Sequence, residues 1–308
     1  MPSLHALVSR FGVALVVTQP DRPAGRGRRL APTAVRTAAQ ELGLEVEIYE
    51  PARRRVVDAR LSDLELDVLV VVAFGHILKP STLATASRGA VNVHASLLPR
   101  WRGVAPIERA LWAGESVTGV TLMAIDPGVD TGAMLAQRIV PIAAEDTRVT
   151  LARKLSDVGA ELLAARLQSW VEGALPSVEQ NDAEASYAPR LQKEEGQIDW
   201  GEDPLQIWRQ VRALYGWPGA YTELDGERLK VHAVKPLDLL PSAAPGSVLY
   251  ADARDGVRVA CGGGTLALLE VQLPGRAATA ATELVSGRKL RTGMRLGSRV
   301  KKASRMES

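Results

Sequence analysis

Val91-Asn92-Val93-His94-Ala95-Ser96-Leu97-Leu98-Pro99-Arg100-Trp101-Arg102-Gly103-Val104-Ala105-Pro106 is the stretch from which the rest of the chain can be read. It begins inside a short strand, Ala90 to His94. Residues two apart in a strand share a face, so Asn92 and His94 point to the same side. Both sit at the carboxyl end of that strand, where open α/β sheets place their ligands. Working outward, Asp67 to Phe74 contains the run Val68-Leu69-Val70-Val71-Val72 and has the length and composition of a buried strand. Val13 to Val17, Val46 to Tyr49 and Gly119 to Ile125 read the same way. Ala34 to Leu42 has helical spacing and stops at Gly43, and Leu151 to Leu167 is a long amphipathic helix. Apolar strands alternating with helices predict a doubly wound, mostly parallel, Rossmann-like α/β sheet covered on both faces. Asp126-Pro127-Gly128-Val129-Asp130-Thr131-Gly132 then sets a carboxylate, Asp130, in a glycine-rich loop after the Gly119 strand. A single loop His or Asp is usually structural. An Asn-x-His at one strand end with an Asp after the next strand is harder to explain that way.

Composition fits an ordinary globular chain. Of 308 residues, 46% are hydrophobic and 24% charged, enough for a core in each of two domains. No apolar stretch approaches the roughly 20 residues of a membrane span, and no signal peptide is visible at the start. The single cysteine, Cys261, allows no internal disulfide and favours a cytoplasmic location, with a packed strand residue as its simplest reading. The four histidines, His5, His76, His94 and His232, show no metal-ligand spacing, so no metal is expected. Net charge is only +3, yet Arg22, Arg26, Arg28 and Arg29 crowd one stretch. A terminal segment carries Arg288, Lys289, Arg291, Arg295, Arg299, Lys301, Lys302 and Arg305 with no acidic residue among them. Clustered positive charge suits a phosphate backbone, or a solvated basic face.

The predicted organisation is a catalytic domain at 1–173, a linker at 174–196 rich in Pro, Glu, Gln, Asn and Ser, a β-rich domain at 197–300 and a basic tail at 301–308. In the third of these, a helical piece at Pro204 to Leu214 precedes Leu229 to Val234, Gly246 to Tyr250, Gly256 to Ala260 and Thr265 to Val271, which read as short strands of a small barrel or sandwich. Gly262-Gly263-Gly264 reads as a hairpin turn.

Asn-x-His, then Ser-Leu-Leu-Pro at Ser96 to Pro99, then Asp130-Thr131-Gly132 resemble the motifs of the folate-dependent formyltransferase family, with His94 and Asp130 spaced as that family spaces them. Gln19-Pro20-Asp21-Arg22-Pro23-Ala24-Gly25-Arg26-Gly27, then Trp101-Arg102-Gly103 followed by Ala105-Pro106-Ile107, resemble the branch acting on methionine carried by initiator tRNA. Tyr187 to Leu191, Glu194-Glu195 and Ile198-Asp199-Trp200 match as well, so the likeness spans nearly the whole chain.

The resemblance implies formyl transfer from 10-formyltetrahydrofolate to the amino group of initiator methionyl-tRNA, by a monomer. Asn92, His94 and Asp130 would be catalytic. Ser96, Leu97, Leu98 and Pro99 would form the loop touching folate. Arg22, Arg26, Arg28 and Arg29 would meet the tRNA acceptor end, and an oligonucleotide-binding (OB-like) barrel would lie along the tRNA. The residue types suit that chemistry: an amide donor for a developing oxyanion, an imidazole that moves a proton near neutral pH, and a carboxylate beside it. Either His94 or Asp130 can then serve as the base. The readings set against this one are a folate-dependent sugar-amine formyltransferase, a glycinamide ribonucleotide formyltransferase, which is a shorter single domain, and a non-catalytic RNA-binding relative.

The resemblance also implies an opening strand ending in Gly-Thr-Pro-x-Phe. Here Met1 is followed at once by Pro2-Ser3-Leu4-His5-Ala6-Leu7-Val8, which resembles the middle of the family's first helix. The expectation is a chain that lacks its first strand, with a gap or direct pairing between the Val13 and Asp67 strands.

Overall fold

Ala90–His94 is a strand, and it is paired on both edges, which fixes the orientation of Asn92 and His94. The computed structural model describes residues 1–24 and 29–297. It divides into two units. The first comprises Met1–Pro106, Ser116–Ala143 and Leu151–Pro189; the second comprises Ile107–Glu115, Ala144–Thr150 and the chain from Arg190 onward.

The strands of the first unit are β1 (Val16–Thr18), β2 (Arg22–Ala24), β3 (Arg29–Ala31), β4 (Val46–Ile48), β5 (Leu69–Val71), β6 (Ala90–His94), β7 (Arg102–Gly103), β8 (Val117–Ala124), β9 (Met134–Pro141) and β10 (Tyr187–Ala188). The pairings β1–β4 and β5–β6 are parallel, as the apolar runs predict. Past His94 the sheet continues antiparallel through β8 and β9, so it is mixed. In that register His94 lies opposite Thr121 and Asn92 opposite Met123, with β8 almost wholly buried.

β1 and β5 do not pair, and among the described residues no strand lies between them. A cavity of about 720 Å³ occupies that place, lined by Leu15, Val17, Val68, Val70 and Phe74, with Leu4 of the Pro2–Arg10 helix. The Leu69 amide donates to Gly89 at 2.9 Å, on the β6 side. By the alternation of a strand, Val68 and Val70 then turn their backbone groups toward the cavity. Only Leu69–Val71 of the long apolar run Asp67 to Phe74 pairs with β6 as strand, and along one edge only.

In the second unit β11 (Ala220–Leu224), β12 (Glu227–Leu237), β13 (Val248–Asp252), β14 (Gly256–Cys261), β15 (Gly264–Gln272) and β16 (Thr279–Ala280) form one antiparallel sheet in the order β11-β12-β15-β14-β13, with β16 on β15. Its two open edges are joined by the chain at 293–297. Leu296 donates to Gly246, Val248 donates to Met294, and Gly297 donates to Glu223 of β11. The result is a small closed β-structure. Its core packs Trp200, Leu229, Val259, Leu266 and Leu290, and the Trp200 indole N–H donates to Thr222 Oγ1 at 2.9 Å. The predicted Gly-Gly-Gly turn is the hairpin between β14 and β15, with Gly263 at φ +79.

Cys261 lies in this core, 1% exposed, and burial pushes its thiol up to about 12. A thiol without thiolate is a poor nucleophile. At pH 8 the native protein is therefore expected to resist alkylation that reaches completion after denaturation. Because the folded value lies above the ordinary value of 9, this group's contribution to stability is intact at neutral pH. It is lost as pH rises from about 9 toward 12, where the unfolded chain releases the proton first. Rapid labelling of Cys261 in the native state at pH 8 would contradict this.

Candidate active site

Asn92 and His94 enter the site from β6, and Asp130 reaches it from the loop between β8 and β9. Asp130 Oδ1 is the common point. It lies 3.5 Å from Asn92 Nδ2 and 3.7 Å from His94 Nδ1. The other imidazole nitrogen, Nε2, is 3.0 Å from the carbonyl of Trp101. A carbonyl can only accept, so Nε2 carries the hydrogen and Nδ1 is left facing the carboxylate. The ring is 5% exposed, which keeps water from competing for these contacts.

Three backbone distortions make the geometry. Trp101 at φ +62, Asp130 at φ +54 and Gly103 at φ +115 all occupy the left-handed half of conformational space. For residues with a side chain that costs about 1–2 kcal/mol. The turn at Trp101 aims its carbonyl at His94 and its amide at Ser186 Oγ, 2.9 Å away. The turn at Asp130 brings its Oδ2 within 2.8 Å of the Gly103 amide. Glycine is required at 103, because a Cβ there would sit 2.8 Å from the Ala188 carbonyl.

The Ser96 to Pro99 loop is built differently from the expectation that its side chains meet folate. Ser96 and Leu98 are buried. Ser96 spends its hydroxyl on the Arg100 carbonyl at 2.6 Å, so its role is to hold the loop. Thr121 Oγ1 donates to the Ser96 carbonyl at 2.7 Å and accepts from the Leu98 amide at 3.1 Å, while Gln137 Nε2 donates to the Leu98 carbonyl at 2.8 Å. Leu97 fills space above Gly119, leaving Leu97 and Pro99 as the half-exposed members of the loop. Thr121 and Gln137, which carry this loop, are not evident from sequence motifs.

The arginine stretch forms a ribbon, β2 against β3, with Pro23 opposite Leu30. Arg22 is exposed on it and donates to Gln19. Asp21 pairs with Arg36 at 2.7 Å, which ties the start of the ribbon to the helix Ala34–Glu41. Arg26 and Arg28 lie outside the described residues, as does the side chain of Arg29. Among the described residues there is no group of three His, Cys, Asp or Glu able to hold a metal. No helix there is long and apolar enough to cross a membrane.

The segment read as a linker is bonded to the site along much of its length. Val178 pairs with Met134, Gln180 reaches the Asp130 loop, Asp182 reaches Arg102, and β10 pairs with β7 in parallel.

Comparison with known proteins identifies a formyl-transferring enzyme. The Formyl transferase family model matches residues 5–167, and its C-terminal domain model matches residues 190–289. The methionyl-tRNA formyltransferase of Marinobacter nauticus is 43% identical over 281 residues, covering 91% of this chain and 89% of that protein. The protein of the same name from Geobacter metallireducens is 43% identical over 297 residues, covering 96% and 94%. The chain belongs to the formyl transferase family, among the methionyl-tRNA formyltransferases.

Solved structures share the fold at lower identity. The N-formyltransferase of Helicobacter canadensis, solved with folinic acid and dTDP-3-aminofucose, superposes with TM-score 0.65 at 18% identity, covering 86% of this chain and 93% of that one. HypX from Aquifex aeolicus, solved with tetrahydrofolic acid, gives 0.62 at 19% identity and 89% coverage; this chain spans 47% of that longer protein.

Gly132 closes the Asp130 loop, and a Cβ there would lie 1.9 Å from the Ala124 carbonyl. Gly132→Ala is therefore expected to cost about 1–3 kcal/mol, the usual scale for overpacking, in chemical denaturation. It should also lower formyl transfer, because Asp130 moves with the loop. Unchanged stability and rate would show that the loop does not depend on this contact.

Proposed function

We propose that this protein transfers the formyl group of 10-formyltetrahydrofolate to the amino group of methionine esterified to initiator tRNA, as a cytoplasmic monomer. The observation that carries the reading is the convergence of Asn92, His94 and Asp130 on one point, in a chain 43% identical to methionyl-tRNA formyltransferases over nearly its full length.

The amine attacks the formyl carbon, and negative charge develops on the formyl oxygen. Asn92 Nδ2 donates to that oxygen; one such donor contributes about 3 kcal/mol to the rate. With its Nε2–H held by the Trp101 carbonyl, His94 keeps Nδ1 for proton transfer. That nitrogen takes the proton of the attacking amine and returns it to the nitrogen that leaves with the folate. Asp130 stabilises the imidazolium between these steps. One of its oxygens is committed to the Gly103 amide and the other faces Nδ1. This arrangement supports His94 as the base and Asp130 as the group that balances its charge. Leu97 and Pro99 are the members of their loop available to touch the folate. The β2–β3 ribbon presents arginines to the tRNA phosphates.

Asn92→Ala, His94→Ala and Asp130→Ala are each expected to cut turnover at least about a hundredfold, the scale of an oxyanion donor or acid–base group. The assay is formyl transfer to charged initiator tRNA, with uncharged tRNA and a nucleotide-linked amino sugar as controls. Near-normal turnover in His94→Ala would sink the assignment of the base. Faster transfer to the amino sugar would replace the proposed acceptor.

Arg26→Ala should weaken use of the tRNA and leave folate affinity intact. It should also flatten the dependence of log affinity on log salt by about one unit, the share of a single phosphate contact. An unchanged salt slope would refute a phosphate contact at Arg26.

A further inference from the structure

We propose that Gln180 is a positioning residue for the reaction, holding Asp130 in its strained backbone conformation. This rests on the catalytic reading of Asp130 given above. Gln180 stands in a polar stretch, Val178 to Asp182, that carries none of the family's catalytic residues, yet its carboxamide is fully engaged. Nε2 donates to the Asp130 carbonyl at 2.8 Å and to the Gly132 carbonyl at 2.8 Å. Oε1 accepts from Arg102 Nε at 3.0 Å.

These bonds close a ring. From Asp130 Oδ2 it passes to the Gly103 amide at 2.8 Å, one residue back along the chain to Arg102, through the Arg102 side chain to Gln180, and from Gln180 to the carbonyl of Asp130 itself. Asp130 is thus gripped at its carboxylate by the Gly103 amide of β7, and at its backbone carbonyl by Gln180, which Arg102 of the same strand holds in turn. The guanidinium in the ring is 2% exposed, so it has no water to fall back on. Its Nη2 is held at 2.8 Å by Asp182, whose own side chain is 85% exposed and screened by solvent. The weight of the arrangement therefore falls on Gln180.

Only a carboxamide fits that place. Two carbonyls on one side demand two hydrogens, and an arginine N–H on the other demands an acceptor. Glutamate supplies the acceptor but not the donors. Lysine and arginine supply donors only, and methionine supplies neither of the strong groups. With one amide orientation satisfying all three partners, the direction of the side chain is determined by its neighbours. Asp130 at φ +54 needs such restraint, because a non-glycine residue released from it relaxes toward ordinary backbone angles. Relaxation would swing Oδ1 away from Asn92 and His94.

The test uses the full chain with Gln180→Ala and Gln180→Glu. The glutamate variant keeps the acceptor for Arg102 and replaces the donors with a carboxylate oxygen facing the Asp130 and Gly132 carbonyls, so it stands in if the alanine variant melts early. Both are expected to lower kcat by ten- to a hundredfold, the scale for misplacing a reacting group by about 1 Å. KM for folate and for charged tRNA should stay within about twofold. The decisive measurement is a double-mutant cycle. In an Asp130→Ala background, Gln180→Ala should lower kcat no further, because there is no carboxylate left to position. A wild-type kcat in Gln180→Glu overturns the proposal. So does a loss of equal factor with and without Asp130, since that marks a merely structural role. Full activity in Asp130→Ala alone would overturn the catalytic reading itself. A damaged Asp130→Ala beside an undamaged Gln180→Ala removes only the positioning role.

Discussion

The site depends on one hydrogen bond, from the Gly103 amide to Asp130 Oδ2 at 2.8 Å. It joins two loops that leave different strands, β6 and β8, and it is possible only because both ends are in left-handed backbone conformations. A charge-assisted bond of this kind contributes about 1.5–3 kcal/mol, comparable with the cost of one strained non-glycine residue. It leaves Oδ1 as the carboxylate oxygen that faces Asn92 and His94. The Trp101 carbonyl settles, in the same way, which imidazole nitrogen is free. The two leftover atoms, Oδ1 and Nδ1, are the pair that face each other. That facing pair is what remains after the backbone has taken the other half of each functional group.

Rigidity behind this pair comes from buried polar groups whose bonds are all made inside the protein. Ser96 and Thr121 have no exposed surface, and each bonds within the loop or to it. An unmet hydroxyl at such depth costs about 1–3 kcal/mol, so the alternatives to the observed loop are penalised one bond at a time. Gln137, on β9, adds the third point by bonding both Thr121 and the Leu98 carbonyl. The β2–β3 ribbon is made on the opposite principle. Arg22 is exposed there, which suits a surface that has to exchange water and ions for phosphate.

Much of this was legible in the sequence. Ala90 to His94 is readable to the residue, because Val91 and Val93 alternate with Asn92 and His94 as a strand's two faces require. The placement of Asn92 and His94 on β6, and of Asp130 in the loop after β8, is legible in the same stretches. β9 was missed because Gln137 and Arg138 break its apolar pattern, although Gln137 is there to pin the loop. β11 was missed because the strand Ala220–Leu224 alternates buried and half-buried residues over only five positions. Asp67 to Phe74 was read too long, since apolar residues that face a cavity look like those that face a partner strand. Ser96 was read as a folate contact, but its burial reserves its hydroxyl for the protein's own backbone.

The misreading of the linker has a more general physical cause. A segment lying over a catalytic loop must satisfy that loop's backbone carbonyls and amides, because the strained turns leave them without regular partners. Only polar side chains and open backbone can do so. Gln180 serves the Asp130 and Gly132 carbonyls, Ser186 serves the Trp101 amide, and Ala188 accepts from Val104. Where side chains do this work, as at Gln180 and Ser186, the segment gains polar residues. That is also the composition of a solvated tether. Composition cannot separate the two, because in both the polar groups are hydrogen-bonded and only the partner differs, water in one and the active-site backbone in the other.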